Sequence, residues 1–169
     1  MQEVIAIALR EQPHGRGTVG SVDVFPNSRN VIPGRVCFSV DLRHATEEGL
    51  ARMDAALRAA VADAGRRFPV RTGVEQVVHF EPVAFDALLV DAVRAGARRL
   101  GLSCMDIVSG AGHDAVYVAR CAPTAMIFVP CRDGISHNEI EDARPEHLAA
   151  GCDVLLQVML GRAGVASAR

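Results

Sequence analysis

A histidine with polar neighbours follows an apolar run in the last third of the sequence. The run TAMIFVP, residues 124–130, leads into a turn that holds Asp133, Ser136 and His137. A neutral imidazole is a common metal ligand, and a hydrogen-bond partner beside it fixes its tautomer. One histidine does not make a metal site, and Asp-Gly is a common turn dipeptide, so an ordinary loop is the simpler explanation from residue types alone.

A run of small residues forms a second candidate site. The stretch SGAGHDA, residues 109–115, contains Gly110, Ala111, Gly112, His113 and Asp114. Small residues before a helix leave backbone N–H groups accessible, and the positive end of the helix dipole favours a carboxylate there. The alternative is a tight strand-to-helix turn without any ligand, and the residues do not decide between the two.

An asparagine and an arginine flank a predicted strand. Arg43 follows the strand RVCFSVDL, where its guanidinium can bind a carboxylate through two hydrogen bonds. Asn30, thirteen positions earlier, offers a donor and an acceptor to an amide-like group. An arginine after a strand is usually only a solvated strand end. Glu47 and Glu48 suggest a general base, but acidic residues in a first helical turn ordinarily compensate the dipole.

Composition argues against several classes of function. The 169 residues have a net charge of −2, six phenylalanines, one tyrosine and no tryptophan, so we expect no nucleic-acid partner. No apolar run approaches the ~20 residues of a membrane-spanning helix, and no signal peptide is recognised, so we expect a cytoplasmic protein without membrane contact. Five cysteines without Cys-x-x-Cys spacing predict reduced thiols.

The first half of the sequence predicts a small α+β layer. Apolar residues at helical spacing mark helices, and alternating apolar and polar residues mark half-buried strands. The predicted elements are a helix at 2–11, antiparallel strands at 18–25 and 35–42, a helix capped by Thr46 and ending near Gly65, and a strand from Val70 to Phe80.

The second half changes to an α/β pattern. Continuous apolar runs between helices are typical of a parallel sheet covered on both faces. The predicted elements are a helix from Asp86 to Leu100 with Gly101 at its C-cap, a strand from Met105 to Val108, a helical stretch to Cys121, a strand at 124–130 and a helix opened by Pro145. We place the boundary between two domains, 1–83 and 84–169, at the change of pattern near Glu81-Pro82.

Three motifs, taken together, resemble a known enzyme family. GTVGSVDVFPNSRNVIPGRVCFSVDLRH, SGAGHDA and MIFVPCRDGISHN have the order and spacing of the C-terminal half of amidases of the hydantoinase/carbamoylase type. These include N-carbamoyl-L-amino-acid hydrolases and allantoate amidohydrolases, within the aminoacylase-like dimetal peptidase superfamily. The resemblance implies an α+β lid and dimerisation domain at 1–83, followed at 84–169 by the C-terminal part of an α/β catalytic domain.

The resemblance also implies roles for individual residues. His137 corresponds to a ligand of one of two divalent metal ions, which would be zinc, manganese or cobalt. Asn30 and Arg43 correspond to residues that hold the carboxylate and the ureido end of a small carbamoyl or ureido acid. The backbone of residues 110–112 corresponds to the loop that cradles the same carboxylate.

Other parts of the family pattern are missing from this sequence. The His-x-Asp motif, the bridging aspartate, the Glu-Glu pair that supplies the base and a further histidine all precede the part represented here, and Glu47-Glu48 lies in the wrong region to replace that pair. The EIED segment after His137 also departs from the Pro-containing segment expected there. We therefore expect a truncated or split metal-dependent amidohydrolase that contains no catalytic residue, is inactive alone and forms a homodimer through its lid. The alternatives are an aminoacylase or dipeptidase of the same superfamily, and a non-catalytic dimerisation or ligand-binding module.

Overall fold

The computed structural model describes residues 1–163, which form two units. The first unit contains residues 1–82 together with 108–111, and the second contains 83–107 and 112–163. The elements are α1 (Gln2–Arg10), β1 (Arg16–Phe25), β2 (Arg35–Arg43), α2 (Glu47–Arg67), α3 (Ala87–Arg99), α4 (Asp114–Val118) and α5 (Pro145–Ala163), with a 3₁₀ turn at Arg132–Gly134. The mixed α/β class expected from the sequence is confirmed.

A small apolar core holds the first unit together. Helices α1 and α2 lie against one face of the hairpin formed by β1 and β2, because their apolar stripes have that face as a common partner. The buried residues are Val4, Ile7 and Ala8 of α1 and Met53 and Leu57 of α2, with Val19, Val40 and Leu42 of the hairpin packed against them.

The hairpin has two ends that lie far apart. Its antiparallel ladder runs from Phe25 opposite Arg35, beside the connection, to Arg16 opposite Arg43 at the other end. The connection closes where the Gly34 N–H donates to the Phe25 carbonyl at 2.9 Å. Eight residue steps along β2 separate the two ends by about 26 Å.

Two helix caps form as predicted from the sequence. The Gly49 N–H donates to Oγ1 of Thr46 at 3.2 Å, which satisfies one free donor at the start of α2. After α3, Gly101 adopts a φ of +69°, and the Leu102 N–H donates to the Ala97 carbonyl at 3.0 Å. This pattern is a Schellman cap, which glycine favours because it lacks a Cβ.

Three predicted strands are wrong. The runs 70–80, 105–108 and 124–130 pair with no strand within residues 1–163. A β-strand forms only when it makes hydrogen bonds to a neighbouring strand. An alternating or apolar sequence does not by itself provide that neighbouring strand. Val77 is accordingly 86% exposed and Met105 is 80% exposed. The described residues therefore contain the two-stranded hairpin and do not form the expected parallel sheet.

The second unit is built mainly from helices. Helix α3 approaches α5 at Gly96, where an added Cβ would lie 3.6 Å from Val154. In the described part of this unit the buried apolar side chains are Ala97 and Val154. No helix in residues 1–163 is long and apolar enough to cross a membrane.

Candidate substrate-binding site

The guanidinium of Arg43, at the end of β2, is held by a carboxylate two residues earlier. Nε donates to Oδ1 of Asp41 at 2.9 Å, and Nη2 donates to Oδ2 at 2.8 Å. Strand residues two apart project from the same face, which lets this pair form. The hydrogen bonds raise the pKa of Arg43 and hold the pKa of the Asp41 carboxyl below its usual value. The result is an oriented, charged guanidinium whose side chain is 47% exposed.

Arg43 makes a third contact with the small-residue loop. Its Nη1 donates to the carbonyl of Gly110, and Gly110 and Ala111 belong to the first unit despite their distance in sequence. A guanidinium has five N–H donors, and these contacts use three of them. One N–H on each terminal nitrogen remains, and two such donors can bind the oxygens of one carboxylate.

Open space surrounds the glycines of this loop. A Cβ added at Gly110 or at Gly112 would meet no atom within 4 Å. The Ala111 N–H donates to Oγ of Ser109 at 3.2 Å, so that amide is engaged within its own turn. Gly112 belongs to the second unit. The sequence predicts that the backbone N–H groups of residues 110–112 are free to bind a ligand. The N–H of Ala111 is already hydrogen-bonded, whereas the space beside Gly110 is open.

The two polar residues after this loop lie at the start of α4. His113 is the N-cap residue, and its ring meets the ring of Phe128 edge-on at a centroid distance of 5.5 Å. Asp114 lies in the first turn of α4, where a carboxylate compensates the helix dipole. Ring packing by His113 and dipole compensation by Asp114 are structural roles that need no ligand.

Asn30 lies at the opposite end of the hairpin from Arg43. It is in the connection between β1 and β2, where its Oδ1 accepts a hydrogen bond from Oγ of Ser28 at 2.9 Å. The ladder between that connection and Arg43 is about 26 Å long. The structure therefore brings Arg43 and Gly110 together and keeps Asn30 of the same chain apart from them.

The residue after Arg43 fastens the end of β2 to both helices of the first unit. Nδ1 of His44 accepts from the Thr46 N–H at 3.1 Å, and its Nε2 lies 3.7 Å from Oε2 of Glu11. The same Glu11 carboxylate accepts two hydrogen bonds from Arg52, at 3.0 and 2.7 Å. The His44 side chain is only 9% exposed. This cluster fixes the backbone that carries Arg43.

The turn at 131–142 presents His137 with a constrained backbone. His137 has a φ of +57°, a region that non-glycine residues rarely adopt, and its N–H donates to Oε2 of Glu141 at 2.8 Å. Its Nδ1 lies 2.9 Å from Oγ of Ser136. The Arg132 N–H donates to the Asp142 carbonyl at 2.7 Å and closes the turn. In the tautomer with the proton on Nδ1, Nε2 keeps its lone pair for another ligand.

The amino-acid sequence of the chain matches a known protein family. Residues 2–161 match the model of peptidase family M20/M25/M40. The chain belongs to this family.

Comparisons with individual proteins show which members of the family the chain resembles. The N-carbamoyl-L-amino-acid amidohydrolase of Rhizobium meliloti is 46% identical over 165 residues, covering 98% of this chain and 40% of the relative. The allantoate amidohydrolase of Bacillus subtilis (strain 168) is 36% identical over 144 residues, covering 85% and 35%. A crystal structure of a hydantoinase/carbamoylase family amidase from Burkholderia multivorans superimposes with a TM-score of 0.90 at 57% identity, covering 95% of this chain and 39% of that one. The resemblance to these amidases is confirmed, and the chain spans at most about 40% of the length of these relatives.

Enzymes of family M20 generally use divalent metal ions. Within residues 1–163, no group of three or more His, Cys, Asp or Glu side chains lies close enough together to hold a metal ion. A zinc site ordinarily takes three or four protein ligands. These residues therefore do not fit a complete metal centre, and His137 could supply only one ligand to a centre completed elsewhere.

Two residues that shape these sites, Asp41 and Glu141, were not predicted from the sequence. Asp41 orients Arg43, and its spacing of two positions on a strand was a signal that could have identified it. The Glu141 carboxylate accepts a hydrogen bond from the His137 N–H and so stabilises the backbone of this turn. No sequence signal marks Glu141, because its contact depends on the left-handed conformation of His137.

Proposed function

We propose that this chain forms the carboxylate-binding part of an amidohydrolase that cleaves the C–N bond of carbamoyl or ureido acids. The observation that carries the proposal is the Arg43 guanidinium, oriented by Asp41 and placed against Gly110. N-carbamoyl amino acids present a carboxylate at one end and a carbamoyl group at the other. Binding the carboxylate bidentately gives such a substrate one orientation, which fixes where its carbamoyl group lies.

The chain's own residues bind the substrate and do not act as the base. A hydrogen bond to a charged group contributes roughly 1.5–3 kcal/mol, so Arg43 supplies a substantial part of the affinity for the acid. Gly112 belongs to the second unit, and its role in carboxylate binding stays a prediction from the sequence. We assign His137 to a divalent metal centre, zinc, manganese or cobalt, whose other ligands lie outside residues 1–163.

Asn30 enters the proposal through a second copy of the chain. Because about 26 Å of ladder separates its connection from Arg43, one small acid does not span both positions. We propose that the first unit forms a homodimer and that Asn30 of one copy contacts the ureido end of a substrate held by Arg43 of the other. An amide side chain offers both a donor and an acceptor to that group.

A mixing experiment tests this arrangement. The Asn30→Ala and Arg43→Ala variants are each first shown not to bind N-carbamoyl-L-alanine. The two variants are then mixed in equal amounts. Random exchange should restore roughly a quarter of the wild-type binding sites, because half of the dimers are mixed and each has one intact site. No restoration, or a strict monomer by light scattering at tens of micromolar, would exclude the shared site.

A titration tests the carboxylate site itself. The ¹⁵N-labelled chain is titrated with N-carbamoyl-L-alanine and with its methyl ester, while the Nε–H resonance of Arg43 is followed. The acid should shift this resonance saturably and the ester should not, because the ester has no charged oxygens to accept the two donors. Equal shifts with both compounds would contradict the proposal.

A second candidate is a ligand-binding module without catalysis, favoured by the lack of a metal-ligand cluster in residues 1–163. The chain, assembled with the rest of a full-length relative, is assayed on N-carbamoyl amino acids, allantoate, N-acetyl amino acids and dipeptides. Hydrolysis of the first two supports the proposed function, and hydrolysis of the others supports an aminoacylase or dipeptidase. Binding without hydrolysis supports the module.

A cytoplasmic location is part of the proposal and is checked by cell fractionation.

A further inference from the structure

The ring of His44, the residue directly after Arg43, has partners on two sides. Its Nδ1 accepts from the Thr46 N–H at 3.1 Å, and Oγ1 of Thr46 lies 3.3 Å from the same nitrogen. On the other side, Nε2 lies 3.7 Å from Oε2 of Glu11, and the ring meets the ring of His14 edge-on at a centroid distance of 6.0 Å. The nearly buried ring thus lies between the start of α2 and the connection that follows α1.

These partners select one neutral tautomer of His44. A backbone N–H only donates, so Nδ1 is the acceptor and the proton of the neutral ring is on Nε2, the nitrogen nearest to Glu11. A second proton, on Nδ1, would place two N–H donors against each other at Thr46. Protonation therefore removes the hydrogen bond that ties His44 to the start of α2.

A protonated ring is also drawn in one direction. An imidazolium is attracted to the Glu11 carboxylate, and this attraction acts away from Thr46. On the side of α2 the ring is tightly enclosed, since a Cβ added at Gly49 would lie only 2.0 to 2.4 Å from three of its atoms. A movement of the ring is therefore passed on to the backbone of His44 and of Arg43 beside it.

The remaining charged groups around His44 belong to the α1–β1 connection and to α2. Hydrogen bonds from Arg52 lower the pKa of Glu11, and the same hydrogen bonds raise the pKa of Arg52. Glu48 adds a second negative charge near Arg52. Carboxylates and guanidinium groups ordinarily keep their charge between pH 5 and 8, whereas imidazoles change theirs in this range. The groups of this cluster that titrate there are thus His44 and its neighbour His14.

We propose that His44 is a pH-sensitive positioning residue, whose neutral form holds Arg43 in the orientation that binds a carboxylate and whose protonated form does not. This role rests on the proposed carboxylate site at Arg43 and Gly110, and it adds a dependence of that site on pH. The hydrogen bonds between Arg43 and Asp41 raise the pKa of the guanidinium and lower that of the carboxyl, so both stay charged between pH 5 and 8. The carboxyl group of the substrate is ionised in the same range. A change in affinity therefore reports the position of Arg43 and not its charge.

Two measurements on the wild-type chain test this role. Calorimetry gives the affinity for N-carbamoyl-L-alanine from pH 5 to pH 8, and NMR of the Cε1–H resonance of His44 follows the protonation of the ring. The affinity should fall roughly tenfold from pH 8 to pH 5, a usual size for coupling between two sites, and the fall should coincide with the titration of His44. Because linkage is reciprocal, saturating acid should make protonation of His44 less favourable by the same factor.

The substitution His44→Asn separates proton binding from the hydrogen bond to Thr46. The amide oxygen of asparagine replaces Nδ1 as the acceptor for the Thr46 N–H, but the amide does not titrate. This variant should bind the acid with an affinity that no longer depends on pH in this range. His14→Gln is the matched control, because it removes the neighbouring imidazole and leaves the hydrogen bond between His44 and Thr46 in place. It should keep the pH dependence of the wild type.

The outcomes distinguish this role from the proposed function. An affinity that stays within twofold from pH 8 to pH 5, a pH dependence that is lost in His14→Gln, or one that persists in His44→Asn overturns the role of His44 and leaves the carboxylate site standing. Absence of binding at every pH overturns both. Circular dichroism verifies that each variant is folded, and if His44→Asn does not fold, the coincidence of the two wild-type titrations decides.

Discussion

The Arg43 guanidinium donates a hydrogen bond to the carbonyl of Gly110, a residue 67 positions further along the chain. Considered separately, Arg43 was more simply explained as a solvated strand end, and the loop was explained equally well as a tight turn or as a ligand site. This contact joins the two motifs. Asp41 holds the other edge of the same guanidinium. The proposed carboxylate site thus consists of the end of β2 and of a loop that belongs to the first unit by contact but not by sequence order.

The geometry of Arg43 predicts a large effect of a conservative substitution. Arg43→Lys keeps the charge but loses the planar fork, so its affinity for N-carbamoyl-L-alanine should fall roughly ten- to hundredfold, equivalent to about 1.5–3 kcal/mol. Calorimetry on the chain measures this value. Arg58→Lys is the matched control, because Arg58 pairs with Asp54 within α2 and touches neither end of the hairpin. An Arg43→Lys affinity within twofold of the wild type would restore the solvated-end interpretation.

The space around Gly110 predicts that binding and stability respond differently to one substitution. Gly110→Ala places a methyl group where no protein atom lies within 4 Å, so the unfolding free energy should change by less than about 0.5 kcal/mol. The methyl group does occupy the space for the ligand, so the affinity for the acid should fall. Gly73→Ala has equal space elsewhere in the first unit and should alter neither property. Unchanged affinity in Gly110→Ala would exclude a ligand beside this loop.

Local sequence signals predicted the helices well and the later strands poorly. The caps at Thr46 and Gly101 depend on residues only a few positions away, and both formed. The strands expected at 105–108 and 124–130 depend on partners that their own sequence does not contain. The separation of Asn30 from Arg43 likewise follows from the ladder register, which residue spacing alone does not reveal.

Packing behind Arg43 predicts that Gly49 is required for stability. A Cβ at this position would overlap the ring of His44, which is nearly buried and bonded to Thr46. Gly49→Ala should therefore destabilise the chain by about 1–3 kcal/mol, the range for overpacking. Urea unfolding followed by circular dichroism measures the change. Gly161→Ala, in α5 with open space around it, should leave stability unchanged or raise it. A Gly49→Ala protein as stable as the wild type would contradict the tight contact.

The Glu11 carboxylate predicts a loss of stability in acid. Its hydrogen bonds with Arg52 are the largest cause that lowers its pKa from the ordinary 4.5. Because the folded-state pKa lies below the unfolded-state value, this contribution is present above about pH 4.5 and is lost as the pH falls through the folded-state pKa. Glu11→Gln should flatten the acid side of a plot of unfolding free energy against pH. Glu3→Gln is the control, since both partners of its 3.8 Å ion pair with Arg10 are exposed, and an equal effect of both variants would contradict the prediction.

The constrained turn around His137 predicts how metal binding depends on the rest of the protein. Because residues 1–163 contain no cluster of three or more ligands, the chain alone should bind zinc weakly and without defined stoichiometry in calorimetry, and should not hydrolyse N-carbamoyl acids. In the complex with the remaining part of a relative, His137→Ala should lose bound metal. Ser136→Ala should weaken metal binding roughly ten- to hundredfold, because it removes the partner that orients the ring. His79→Ala is the control, since His79 pairs with Glu47 in the first unit and should leave the metal content unchanged. Tight stoichiometric zinc in the chain alone, or full metal content in the His137→Ala complex, would show that His137 is not the ligand proposed here.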